Sequence, residues 1–431
     1  MLSSQTERKV NGPELSKQIF GGVLDYDGAG HYPGLELLNI VYGTVDEILL
    51  PEEGLVSVKK KAHDFARRLV WDEAFTDESV KQKVLYDTET EDAVRQLLSC
   101  LQLPIPSTNK IPGWERAHFF PFTRSLIHWD ARKRGEKIKV ERRYLRGGGA
   151  LAFHVLRKDH DPNRLNRCRA GFSALFADND NSALEKLAQT LLNQGYVDSI
   201  GSEDQVEADS VAFNDSDEDV FRDGIVNILE HYELSAVARI KALMNWTAFW
   251  LLLVQHRRSS SYLQARPSVL ICDCGASHAQ LRRASQRCLK EVEGTIMGAI
   301  DKAVEGRELK AQQRNKLRSF FWSTAATIKL LNAWRGRRHF TVGLELAETL
   351  VLAALNKSAE MPYEEFVDKW LYEKCKLVIG RKAAEKSGLL ESFDSSVFED
   401  NEDHFAIQMK AAGLLTEYSD ATRMVGTGGL L

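Results

Sequence analysis

The chain has 431 residues, of which 43% are hydrophobic and 27% are charged, and its net charge is -4. These values are ordinary for a soluble globular protein, and the length predicts more than one domain. Six scattered cysteines without a CxxC pair argue against a zinc ribbon and fit a reduced, cytoplasmic setting. The N-terminal residues lack the apolar core of a signal peptide, and no membrane partner is expected.

The pattern of elements predicts a mainly α, multi-domain helical bundle protein with minor β content. We divide the chain into five segments by composition and periodicity. They are a mixed α/β N-terminal domain at 1–136, a basic helical domain at 137–197, an acidic linker at 198–219, a basic helical bundle at 220–355 and a winged-helix-like C-terminal module at 356–431.

Near the N-terminus, the run Asp25-Tyr-Asp27-Gly28 follows a short apolar stretch. It resembles the first motif of haloacid-dehalogenase-type phosphotransferases, in which an apolar strand presents a nucleophilic Asp and a second Asp two residues later. The resemblance implies a phosphotransferase that uses Asp25 and Asp27. An Asp-Gly turn explains the same residues without chemistry, and this is the interpretation that we favour.

The segment from Arg132 to Arg169 carries thirteen Lys or Arg residues against four Asp or Glu residues. It contains three successive glycines before an apolar helix, and a helix start of this kind leaves amide N–H groups that can bind an anion. The lysine and hydroxyl of a nucleotide-binding P-loop are missing. We therefore predict contact with the phosphate backbone of DNA or RNA, without hydrolysis, by Arg142, Arg143, Arg146, Gly147, Gly148, Gly149, Arg157 and Lys158.

A second basic region extends from Glu233 to Phe340, with nineteen Lys or Arg residues and seven Asp or Glu residues. The apolar segment at 242–256 is too short to span a bilayer, so we predict a buried helix. A longer helix from about 279 has Leu281, Cys288 and Val292 on one face. At the end of this region, Arg335, Arg337 and Arg338 lie among aromatic residues and are further candidates for phosphate contact.

The segment "SVLICDCGASH" predicts a buried strand that ends at Asp273. The D-x-G-x-S run resembles the metal-site loop of von Willebrand A domains, which would make Asp273 a metal ligand. A strand end followed by a Ser277 helix cap explains the same residues, and we favour it. No cofactor or metal is expected.

The C-terminal segment has the order helix, helix and β-hairpin, which is typical of a winged helix. From Asn356 onward it has fourteen acids and nine bases, so we expect it to bind protein partners rather than DNA.

Together these features favour a non-catalytic, nucleic-acid-backbone-binding subunit of a multiprotein assembly; a bacterial restriction or phage-defence complex is one setting of this kind. A metal-dependent nuclease or phosphohydrolase with dispersed carboxylates such as Asp25, Asp27 or Asp273, and a protein-binding scaffold, are the alternatives.

Overall fold

The structure is a computed structural model. It describes residues 9–25, 32–44, 48–53, 56–60, a few single residues between 89 and 103, 119–128, 132–134, 137–139, 148–177, 182–193, 202–205, 216–276, 278–333, 336–357, 359–418 and 422–428.

The described part of the chain is mostly helical, which confirms the mainly α prediction. Its thirteen α-helices are Gly12–Phe20 (α1), Tyr32–Val41 (α2), Gly149–Arg157 (α3), Pro162–Leu175 (α4), Ala183–Asn193 (α5), Ser216–Glu230 (α6), Ala236–Tyr262 (α7), Ala279–Val304 (α8), Ala311–Thr327 (α9), Leu344–Ala354 (α10), Tyr363–Glu365 (α11), Arg381–Lys386 (α12) and Ser395–Ala411 (α13). A π-helix at Phe366–Lys374 continues α11.

The strands are short. They are Ser57–Lys60 (β1), Arg132–Arg134 (β2), Lys137–Lys139 (β3), Ser202–Gln205 (β4), Leu270–Ile271 (β5), Met361–Pro362 (β6), Leu377–Val378 (β7), Leu415–Glu417 (β8) and Arg423–Val425 (β9). β5 and β7 pair in parallel, with Leu270 opposite Leu377. β6, β9 and β8 form an antiparallel sheet in that order.

Helix α7 lies at the centre of the bundle, where α1, α2, α6, α8, α9 and α10 contact it. Trp246 and Trp250 are fully buried along it. Within the described residues it is the one helix long and apolar enough to cross a membrane, and 83% of its most apolar window is buried inside the protein. This burial confirms the predicted core helix.

Asp161 caps α4 by accepting from the amides of Asn163 and Arg164, and Pro162 begins the helix, which agrees with the general preference for Asp at the N-cap and Pro at the first helical position. The predicted C-terminal hairpin forms as β8 and β9. Residues 217–219, which the sequence assigns to the acidic linker, form the first turn of α6, where acids complement the helix dipole.

One hydrophobic core extends from Val10 to Val425 and so includes side chains from both sides of residue 356. The division of the chain into five segments stays a prediction.

Candidate nucleic-acid interface

Three cations form a row on the solvent side of α8. Arg283, Arg287 and Lys290 follow one another at i, i+4 and i+7, so they share one side of the helix over about 10 Å of its axis. All three are exposed. None forms an ion pair or hydrogen bond with a residue that the structure describes. We call these three residues the basic stripe, and no described acid forms an ion pair with it.

The core side of α8 explains why the stripe faces solvent. Leu281, Cys288 and Val292 are buried on the opposite side, as the sequence predicts. An apolar face that packs on the bundle leaves the other side of an amphipathic helix in water. The packing of α8 therefore determines where the stripe points.

A tight turn follows α9 and carries two more arginines. An antiparallel bridge joins Leu331 to Phe340. Next to it, the His339 amide donates to Oδ1 of Asn332 at 2.9 Å, and the Asn332 amide donates to the His339 carbonyl at 3.2 Å. We call residues 336–339 the arginine loop. These two bonds, one to the Asn332 side chain and one between main-chain groups, close the base of the loop.

Arg337 and Arg338 in this loop have different surroundings. Arg337 is exposed, and its side chain has no partner among the described residues. The Arg338 guanidinium carbon lies 4.4 Å from the ring centre of Trp322, a cation–π contact. Burial lowers the pKa of Arg338, Glu293 opposes this shift, and Arg318 adds to it. The loop thus lies alongside α8 near Glu293.

Asp273 connects the arginine loop to α8. It follows β5 and is only 3% exposed. Its Oδ2 accepts from Nε of Arg282 at 3.1 Å and lies 3.4 Å from Nε2 of His339. Its Oδ1 accepts from the Gly275 amide at 3.0 Å, and its own amide donates to the Phe340 carbonyl at 2.9 Å. Since Arg282 lies near the start of α8, this junction holds the arginine loop against the first turns of that helix.

The predicted glycine site is arranged differently from our expectation. Gly148 caps α3 with φ of 97°, and the Gly149 amide donates to Oε2 of Glu36 at 2.9 Å. A Cβ at Gly149 would lie 2.2 Å from Cβ of Glu36, so close packing of α2 on α3 requires glycine here. A carboxylate of the chain itself occupies the position where we expected a phosphate, and both glycines are buried.

The two cations that end α3 also differ. Arg157 is 1% exposed, and it donates to the carbonyls of Pro51 at 2.8 Å and Glu53 at 3.1 Å. Its role in this structure is to anchor a loop. The Lys158 side chain is exposed. Among the described residues predicted from 148 to 158, Lys158 is therefore the one still available to a phosphate.

The remaining predicted contacts lie outside the described residues. These are Arg142, Arg143, Arg146, Gly147 and Arg335. Their contact with phosphate stays a prediction.

In the described chain, one group of three potential metal ligands comes close enough to share an ion, and it consists of Asp159, His160 and Asp219. Arginines already satisfy its acids: Arg164 binds Asp159 at 2.6 Å and Asp219 at 2.7 Å. Burial alone would raise the pKa of Asp159, but hydrogen bonds from Arg164 and the Asp161 amide, together with the charges of Arg164 and Arg222, lower it. The cluster is explained as an ion-pair network.

The alternative carboxylates are separated from this cluster. Asp273 is held by Arg282 and His339, as described above. Asp25 lines a cavity of about 640 Å³ with Lys17 and Lys316 at the start of α1. Asp27 and Ser277 lie outside the described residues. The second Asp of the phosphotransferase-like motif and the Ser of the D-x-G-x-S run therefore stay predictions.

The basic stripe was not among the residues predicted from the sequence, because that prediction rested on the apolar positions of α8 and on the total charge of the region. The signal was present in the same helix, since cations at i, i+4 and i+7 opposite an apolar face predict one solvent-facing row.

We compared the chain with protein-family models, with curated proteins and with solved structures, and none of the three comparisons found a match.

Proposed function

We propose that the protein is a non-catalytic subunit that binds the phosphate backbone of DNA or RNA through the basic stripe and the arginine loop. The observation that carries this proposal is the set of exposed cations Arg283, Arg287, Lys290 and Arg337, which have no counter-ion among the described residues. Phosphate groups supply that counter-charge, and their binding releases condensed cations from the nucleic acid.

The proposed binding is independent of nucleotide sequence. Surface cations bind the phosphates of a nucleic acid and fix its place on the protein, but they do not read its bases. Base readout requires side chains that enter a groove. The stripe lies along one helix face over about 10 Å, which is the rise of roughly three nucleotides in one strand. We therefore expect similar affinity for unrelated sequences of equal length.

A salt titration of Arg283→Ala/Arg287→Ala/Lys290→Ala tests the proposal. Fluorescence anisotropy with duplex DNA, duplex RNA and single strands gives log affinity against log salt. Removing one phosphate contact reduces the magnitude of the slope by roughly 0.7 to 0.9, so the slope of the triple variant should be smaller by about 2 to 3. The affinity should fall for all sequences alike.

The matched control removes the same charge from the C-terminal segment. Lys369, Lys382 and Lys386 are exposed and form surface ion pairs with Glu365, Asp368 and Glu373. Their triple replacement by Ala should leave the slope unchanged. Equal effects of the two triple variants would show that only net charge matters and would refute a defined interface.

The predicted contacts of Arg142, Arg143 and Arg146 belong to the same proposal. Their joint replacement by Ala should weaken binding to all sequences about equally and reduce the salt slope. Unchanged affinity and slope with an intact circular dichroism spectrum would remove them from the interface.

We further propose that the C-terminal segment is a winged-helix-like element that docks protein partners. Helices α12 and α13 followed by the β8–β9 hairpin, with β6 as a third strand, support this topology. The exposed side of α13 carries Glu399, Asp400 and Asp403, which disfavour a nucleic acid. Ile407 on the same side is 64% exposed, and an exposed aliphatic side chain of this kind suits a protein interface.

Ile407→Asp tests the docking proposal. The variant should keep its thermal stability, because the side chain packs little, and should lose partners that wild-type protein retains in a nuclease-treated pull-down from the native host. Identical partners for both proteins would contradict docking through α13.

The enzyme alternative has its own test. Divalent-metal-dependent turnover of DNA or a phosphate ester that is lost in Asp25→Asn or Asp273→Asn, with the fold intact, would favour a nuclease or phosphohydrolase. Salt-insensitive or absent nucleic-acid binding without turnover would favour the scaffold.

A further inference from the structure

We infer that Asp273 is a positioning residue for the nucleic-acid interface: this buried acid binds Arg282 at the start of α8 and holds the arginine loop in place, so that the basic stripe and Arg337 meet phosphates together. The inference rests on the proposed function. It concerns a negatively charged residue beneath a surface that we propose to be anion-binding, and it deepens the account of that surface.

The geometry assigns four connections to this one residue. The side chain binds Arg282 of α8 at 3.1 Å and faces His339 of the arginine loop at 3.4 Å. The amide donates to Phe340 at the base of the loop at 2.9 Å. The second carboxylate oxygen accepts from Gly275, which fixes the rotamer of Asp273 itself. The Asp273 carboxylate thus contacts both α8 and the loop through ionic groups.

If Asp273 positions the cations, removing its charge should weaken nucleic-acid binding, whereas simple electrostatics predicts that it should strengthen binding. Removing a negative charge near a polyanion favours binding: a unit charge about 10 Å away in water contributes roughly 0.4 kcal/mol, or about a twofold gain in affinity. Displacing the cations has the reverse effect. At about 0.15 M salt, removing one phosphate contact weakens binding roughly fivefold, so removing two weakens it roughly thirtyfold.

The experiment measures duplex DNA affinity and salt slope for Asp273→Asn and for Glu291→Gln. Glu291 is an exposed acid on α8, next to Lys290, with no ion pair to a described residue, so it is the matched charge control. We expect Glu291→Gln to bind slightly more tightly than wild type. We expect Asp273→Asn to bind five- to thirtyfold more weakly, with a slope reduced by about 1 to 2.

The pH profile supplies a readout that general destabilisation would not move. His339 faces Asp273, Arg282 and the Arg337 carbonyl; burial lowers its pKa, and Asp273 counteracts that shift. A protonated His339 adds positive charge to the interface, so affinity should fall as pH rises through its pKa. Asp273→Asn should move this step to lower pH, and His339→Gln should abolish it. A step that remains unchanged in His339→Gln would show that His339 does not carry the pH dependence and would count against the inference.

If Asp273→Asn does not fold, His339→Ala at pH 8 replaces it, because the neutral imidazole is removed without a change of charge and binding should still weaken. Affinity in Asp273→Asn equal to or above wild type, or an unmoved pH step, overturns the inference. Failure of the inference can be told from failure of the proposed function. An unaffected salt slope in the Arg283/Arg287/Lys290 triple variant would refute the interface itself. A reduced slope in that variant, combined with tighter binding by Asp273→Asn, would refute only the positioning role.

Discussion

Glu218 should be among the most important charged residues for stability, although it lies in the acidic segment that the sequence assigns to a linker. Its side chain is fully buried at the start of α6, with Oε1 2.7 Å from Nη2 of Arg258 and Oε2 3.3 Å from Nη2 of Arg222. Both arginines are themselves buried, at 6% and 1% exposure. Glu218→Gln keeps the shape and removes the charge that two buried guanidinium groups share.

The expected cost follows from what the arginines retain. Arg258 keeps its bond to the Phe20 carbonyl at 2.6 Å, and Arg222 keeps Asp219 at 3.1 Å. Loss of one partner from a buried ion pair typically costs about 3–5 kcal/mol, and the remaining partners favour the lower end, about 3 kcal/mol. Urea unfolding of the wild-type protein and of Glu218→Gln measures this difference in the free energy of unfolding.

The matched control is Glu345→Gln. Glu345 pairs with Lys241 at 2.8 Å, but both side chains are about half exposed, so this ion pair should contribute less than about 1 kcal/mol. If Glu218→Gln and Glu345→Gln lower the free energy of unfolding by the same small amount, the argument from burial is wrong.

Three further predictions concern the fold. Gly148→Ala should lower the free energy of unfolding by about 2–4 kcal/mol in urea, because its φ is 97° and a Cβ would lie 2.6 Å from Cδ1 of Leu251; an unchanged midpoint would contradict this. Burial and then Arg257 lower the pKa of His256 to about 4, so stability should be complete above about 6.5 and decline as pH falls toward 4; the decline should be smaller in His256→Gln. Removal of residues 356–431 should abolish cooperative thermal unfolding, because β5 loses its partner β7; a cooperative transition of the remaining fragment 1–355 would contradict this and show that it folds without the C-terminal segment.

Features set by local sequence were predictable. The cap at Asp161, the buried face of α8 and the β8–β9 hairpin each depend on residues within one element. Features set by contacts between distant residues were not. The parallel pairing of β5 with β7 joins residues more than a hundred positions apart, and two-residue strands have too few side chains to show a period.

The candidate site illustrates the same limit at the level of single residues. A glycine run before an apolar helix is compatible with an anion site and with close helix packing, and the choice depends on Glu36, which is over a hundred positions away. Likewise, a D-x-G-x-S run does not reveal that Arg282 and His339 face Asp273. Spacing along the chain predicts which groups share a helix face, but the identity of an ion-pair partner requires the tertiary structure.

The cations of the basic region therefore have to be separated into buried, paired ones and exposed, unpaired ones before their charge supports a function. Between Glu233 and Phe340 the excess of cations over acids is nineteen minus seven, or twelve. Arg258 is part of this excess, yet it is buried and ion-paired with Glu218, so its charge stabilises the fold and is not available to an external anion. Arg287 and Arg337 are exposed and without a counter-ion in the described chain.

A buried paired cation gains nothing from a phosphate, because leaving its partner would cost as much as the new contact contributes. An exposed, unpaired cation has no such cost, and its attraction for an external anion is limited mainly by salt. The proposed interface consequently includes only the cations of the second kind, and α8 and the arginine loop bring them together.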